Sequence, residues 1–105
     1  MTIHINTDNA IKGTENMVSR MQAAITDKLD RYREFFTDID VHLTDESGRA
    51  PSNLEDKRCV LRANFRGGAP EVVTGIATTL DLALTEAINK MRNALESRTG
   101  KMRNH

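Results

Sequence analysis

The sequence predicts an α+β fold, a single βαβββα domain in which a four-stranded mixed sheet carries two helices packed on one face. Three observations lead there. Four short segments alternate apolar and polar residues, the period of a strand with one buried face, and two longer segments repeat apolar residues at spacings of three and four. Such strands and helices bury their apolar surface together when both helices lie on the same side of the sheet. The length of 105 residues fits one core, so the domain is expected to span 1–105 with no room for a second.

Thr2-Ile3-His4-Ile5-Asn6 alternates and makes the first strand. Gly13-Thr14 then begins a helix, because the Thr14 hydroxyl can cap free backbone N–H groups and Glu15 suits the positive end of the helix dipole. Met17, Met21, Ala24, Ile25, Leu29, Tyr32 and Phe36 fall on one stripe, which predicts a helix running to about Phe36. Ile39, Val41 and Leu43 alternate with Asp40, His42 and Thr44 in the second strand. The stretch from Asp45 to Asn53 lacks periodicity and is rich in turn formers, so it reads as a charged loop. Cys59, Leu61, Ala63 and Phe65 point to the core from a third strand. Gly67-Gly68-Ala69-Pro70 makes a tight return to a fourth strand, Val72 to Ala77, antiparallel to the third. Thr79 caps a second helix whose stripe is Leu80, Leu84, Ala87, Ile88, Met91 and Leu95, extended by Met102 if Gly100 does not end it.

Fifteen basic and fifteen acidic side chains cancel, yet they are not evenly spread. Residues 1–56 hold six Lys/Arg against eleven Asp/Glu, a net of −5, and residues 57–105 hold nine against four, a net of +5. Such asymmetry points to a polyanionic partner for the basic half. A basic helix end also complements the helix dipole, and composition alone leaves the two readings level. Cys59 has no partner for a disulfide, and the chain contains neither a charged-then-apolar leader nor a long apolar run. It therefore reads as a reduced, cytoplasmic protein with no membrane contact.

Chemistry is not announced. His4, His42 and His105 stand at unrelated places, without the spacing of a metal site, and no nucleophile motif occurs. Gly67-Gly68 precedes a strand rather than a helix, so it builds no phosphate cradle. Cys59, inward with Leu61, reads as a small core hydrophobe. No enzyme, cofactor, metal or small-molecule substrate is expected.

On the second helix, at about 100° per residue, Lys90 and Lys101 lie on one shoulder of the apolar stripe and Arg92 and Arg103 on the other. Arg98 lies near the stripe itself, close to the helix end, and Asn89 and Asn93 occupy the outer ridge. Cations so placed can reach phosphates on both sides, with the asparagines bonding sugars or bases. The alternative is that their stems cover the core edge and their charges dissolve in water. The wet sheet face, with Arg62, Asn64 and Arg66 beside His42 and Asp40, is a second RNA surface or, as read more often, a solvated face with cross-strand charge pairs.

Lys28-Leu29-Asp30-Arg31-Tyr32, Leu61-Arg62-Ala63-Asn64, Ile88-Asn89-Lys90-Met91 and the ending Lys101-Met102-Arg103-Asn104-His105 resemble the ribosome hibernation-promoting factor and protein Y family, also called sigma-factor modulation proteins. The element order matches that family's fold along essentially the whole chain, and the basic ending resembles the short form. The resemblance implies a translation silencer that binds ribosomal RNA in the decoding channel of the small ribosomal subunit and blocks the mRNA and tRNA sites in dormancy. Lys28, Arg62, Lys90, Arg92, Arg98, Lys101 and Arg103 are the RNA-binding candidates. The other reading keeps the fold but makes the chain a protein-binding adaptor, whose acidic half and Asp45–Asp56 loop meet the partner. A homodimer is left open.

Overall fold

Residues 1–8, 14–45 and 56–103 are described by a computed structural model, and their side chains through Gly100. The elements follow the predicted order: β1 (Thr2–Thr7), α1 (Glu15–Leu29), a 3-10 segment (Asp30–Phe35), β2 (Phe36–Asp45), β3 (Lys57–Phe65), β4 (Glu71–Ala77) and α2 (Leu80–Arg103). The sheet order is β1-β2-β3-β4. β1 pairs parallel to β2, with Ile3 opposite Ile39 and Ile5 opposite Val41, which requires the crossover that α1 provides. β3 pairs antiparallel to both neighbours, Leu61 lying between Val41 and Val73. The sheet is therefore mixed, as predicted for the βαβββα order.

Local chemistry sets the helix starts. The Thr14 hydroxyl accepts a hydrogen bond from the Met17 N–H at 3.1 Å, and the Thr79 hydroxyl accepts one from the Leu82 N–H at 3.1 Å. The β3–β4 return uses Gly68 at φ 91°, a backbone conformation that glycine adopts without cost. Gly100 does not end α2, which continues to Arg103.

One boundary departs from expectation. The α-helix stops at Leu29, the next six residues tighten into a 3-10 segment, and Phe36 is the first residue of β2 rather than the last of a helix. Leu29, Tyr32 and Phe36 are all buried, so the apolar spacing is honoured by a different backbone. The end of β3 fixes this segment from outside: the Arg66 N–H donates to the Phe35 carbonyl at 3.0 Å and its side-chain Nε to the Glu34 carbonyl at 3.1 Å. The predicted Asp45–Asn53 loop, beyond Asp45 itself, lies outside the described residues.

Both helices pack on one side of the sheet. The core joins Met21, Ile25 and Leu29 of α1, Ile39, Val41 and Leu43 of β2, Cys59, Leu61 and Ala63 of β3, and Ala83, Ala87, Met91 and Leu95 of α2. The opposite face carries Thr2, His4 and Asn6 on β1, His42 on β2, Arg58 and Arg62 on β3 and Val72 and Ile76 on β4, all exposed. No helix among the described residues is long and apolar enough to cross a membrane.

Burial of Cys59 has a measurable consequence. Desolvation pushes its thiol up from 9.0 to about 12. The folded state thus favours the neutral thiol, and this contribution to stability is complete below the unfolded pKa and fades as pH rises from about 9 towards 12. Native protein at pH 8 is expected to resist a thiol-specific colorimetric reagent and to release one full equivalent of thiol on unfolding in urea; rapid native labelling would contradict the burial.

Candidate nucleic-acid interface

β1 and β4 point the same way along the sheet, and each is followed by a helix running back, so α1 and α2 lie side by side with the same polarity. Arg20 in the second turn of α1 and Asp81 in the first turn of α2 meet at 3.2 Å, an exposed pair that aligns the helices without contributing much stability. Two helical turns further, Lys28 of α1 and Asn89 of α2 line the same groove, together with Ala24, Asp27, Thr85 and Ile88. Arg92 lies three residues past Asn89 on the same side of α2, half-buried, with no ion pair among the described residues. Lys28 pairs only loosely with its neighbour Asp27, at 3.6 Å.

The other predicted residues are distributed differently. Lys90 sits on the opposite shoulder of α2, as its helical phase requires, where Nζ donates to the Thr74 carbonyl on edge strand β4 at 2.8 Å and pairs with Glu86 at 3.1 Å. That contact covers part of an otherwise free strand edge. Arg62 projects from the open sheet face and donates through Nε to the Asn64 side-chain oxygen at 2.9 Å. Lys101 and Arg103 lie on the helix backbone, but their side chains, and Asn104 and His105 altogether, fall outside the described residues.

Arg98 is placed most unlike a free phosphate ligand. Its guanidinium lies 3.6 Å from the centroid of the Phe65 ring and Nη1 lies 3.6 Å from Glu71 Oε1, so it fastens the end of α2 to the β3–β4 hairpin. A methyl group at Gly68 would come within 3.1 Å of its Nη2. The signal was present in the sequence as the position of Arg98 almost on the apolar stripe, where a cation must find an aromatic or acidic partner close to the core.

The open sheet face is organised by Asn64, which periodicity identified only as a wet-face residue. Its amide donates to Asp38 at 2.9 Å and to Asp40 at 3.0 Å, while its oxygen receives Arg62. Hydrogen bonds from Thr37 and then Asn64 hold the Asp38 carboxyl below its usual range. His4 completes a group with Asp38 and Asp40 whose ligand atoms lie within 4.8 Å of one another; Asn64 draws the two carboxylates together, and strand register sets His4 opposite Asp40. Around Asn64 the open face thus holds a hydrogen-bond network that joins β3 to β2.

The same architecture recurs in solved structures. The N-terminal domain of protein Y from Thermus thermophilus superposes with a TM-score of 0.73 at 18% identity, over 92% of this chain and 98% of that one. A structure described as a ribosomal subunit interface protein from Coxiella burnetii gives 0.71 at 12% identity, over 95% and 99%. Both establish the fold. No curated protein sequence matches the chain. Residues 3–103 match the family described as Sigma 54 modulation protein / S30EA ribosomal protein, and the match takes in both helices and all four strands except Thr2. The chain belongs to that family.

Proposed function

We propose that this chain is a ribosome-binding translation silencer that occupies the decoding channel of the small ribosomal subunit and meets ribosomal RNA through the outer faces of α1 and α2. The observation that carries this reading is the family match over residues 3–103, in a family whose description names a ribosomal protein. The two similar structures, a protein Y domain and one described as a ribosomal subunit interface protein, agree with it. Charge supports this route of contact: Lys28 lines the inter-helix groove, Arg92 follows Asn89 by three residues along α2, Lys90 lies on the far shoulder of α2, and Lys101 and Arg103 follow at its end. Lys supplies point charges and Arg bidentate contacts to phosphates, with sequence-independent affinity. In this reading Arg98 acts by holding the hairpin, and Arg62 is a peripheral contact of the sheet face.

The test is cosedimentation of the purified protein with 30S and 70S ribosomes across a salt series, beside a variant with Lys28, Lys90, Arg92, Lys101 and Arg103 changed to Gln. Five phosphate contacts release about five counterions, so affinity is expected to fall roughly a hundredfold to a thousandfold between about 50 and 200 mM salt. The variant is expected to lose both the binding and most of the salt dependence. Failure of the parent to cosediment at low salt would sink the reading; binding by the variant equal to the parent would transfer the interface to another face.

A further inference from the structure

The groove shared by Lys28 and Asn89 has dimensions that invite a specific occupant. It encloses about 140 Å³ between Ala24, Asp27 and Lys28 of α1 and Thr85, Ile88 and Asn89 of α2. Its floor is apolar, formed by half-buried Ala24 and by Ile88 at 4% exposure. Its rim carries a carboxylate, an ammonium, a hydroxyl and a carboxamide, all on exposed residues. An apolar floor with a few convergent polar groups is the general form of a small-ligand site.

We propose that this slot between α1 and α2 receives one unstacked nucleobase of the bound RNA, preferring a base with an exocyclic amine, a reading that rests on the ribosome binding proposed above. Size is the first argument. Cavities of about 150 Å³ admit a benzene ring, so this volume suits one flat ring system. It spans a single turn of each helix, Ala24 to Lys28 and Thr85 to Asn89, whereas an amphipathic helix in a groove needs anchors over two turns.

The chemistry of the rim is the second argument. Asp27 is out of place on a surface meant only for phosphates, which it would repel. At the edge of a base it has a function, since a carboxylate accepts from an exocyclic amine and a carboxamide such as Asn89 can both donate and accept. The Asp27–Lys28 pair, 73% and 51% exposed, is held weakly enough to be given up. Lys28 on one side and Arg92, a turn beyond the slot, can then take the phosphates flanking the extruded nucleotide. Single-stranded RNA is commonly recognised through such splayed bases.

The test uses the complete chain and the four nucleoside 5′-monophosphates as probes, followed by backbone amide and isoleucine methyl NMR. AMP, CMP and GMP are expected to shift Ala24, Asp27, Ile88 and Asn89 more than UMP does. Ala24→Leu, which fills the slot, should abolish those shifts, and Asp27→Ala, which leaves the floor intact and removes the acceptor for the exocyclic amine, should level the preference among bases. On ribosomes Ala24→Leu should lose roughly tenfold in affinity, the scale of reading one base, with an unchanged salt slope because no phosphate contact is removed. No shift at these residues with any of the four probes overturns the proposal, as does ribosome affinity of a folded Ala24→Leu variant equal to the parent. Slot shifts in a parent that fails to cosediment would instead remove the ribosome reading and keep a nucleobase site.

Discussion

Gly75→Ala is expected to cost the domain about 3 kcal/mol or more, at the upper end of what overpacking does, and to lower Tm by on the order of 10–20 °C. The reason is distance. A methyl group built on Gly75 would lie 2.1 Å from the Ala83 carbonyl oxygen and 2.7 Å from the Ala87 nitrogen, so it meets the backbone of α2 rather than a side chain that could turn away. Gly75 itself is not in a left-handed conformation, so the requirement is for space alone. Replacing glycine in a compatible conformation ordinarily gains about 0.4–1 kcal/mol through the unfolded chain, and that gain is several times too small to offset the clash. For a domain whose total stability is of order 5–15 kcal/mol, the loss is a large fraction. Gly100→Ala is the matched control: nothing lies within 4 Å of its added carbon, it sits inside α2, and it should gain about 0.5–1 kcal/mol. Urea unfolding midpoints of the two variants, read with unchanged slopes, check both. A Gly75→Ala loss below about 1 kcal/mol would mean that β4 and α2 separate at little cost and that their contact does not hold the edge strand.

The reason for Gly75 was half-visible in the sequence. Alternation through Val73, Gly75 and Ala77 places all three on the helix side of β4, and Ala83 and Ala87 are small at a helical spacing of four. That three small residues meet one another across a strand and a helix is a tertiary fact, and Ala83 was not among the predicted core residues although it is fully buried. Periodicity reports which face is apolar, not how near the opposing backbone comes.

The functional surface divides the same way. The phase of α2 sets Lys90 and Arg92 on opposite shoulders, because a period of 3.6 residues decides it. What each cation touches is decided by elements remote in sequence: Thr74 for Lys90, Phe65 and Glu71 for Arg98, Asn64 for Arg62. The slot between the helices is still less visible, since Lys28 and Asn89 are 61 residues apart and converge only because α1 and α2 run side by side. Individual charges can be assigned to a helix face from sequence, whereas a site made of two helices requires their packing.

Phe36→Ala is the second large effect expected, about 3–5 kcal/mol, the usual cost of removing a buried ring. Phe36 is fully buried at the point where the 3-10 segment turns into β2, and its ring meets Phe65 edge to face, with centroids 6.4 Å apart and planes at 61°. Sequence periodicity assigned it to a helix because a buried residue four places after Tyr32 satisfies a helical stripe and the first inward position of a strand equally well. The two assignments differ in what they predict. A helix-terminal Phe36 would pack beside Tyr32 on α1 and could be truncated with local fraying, whereas a β2 residue opposite Phe65 connects the start of β2 to the end of β3 and, through Phe65, to Arg98. Phe36→Leu should therefore recover most of the loss, leaving about 1.5 kcal/mol or less. Combined with Arg98→Ala, it should show a coupling of at least about 0.5 kcal/mol, because both side chains lie against the one ring of Phe65. Additive effects in that cycle would mean that the aromatic pair and the cation hold the hairpin independently, and that the end of α2 is fastened by Glu71 rather than through the core.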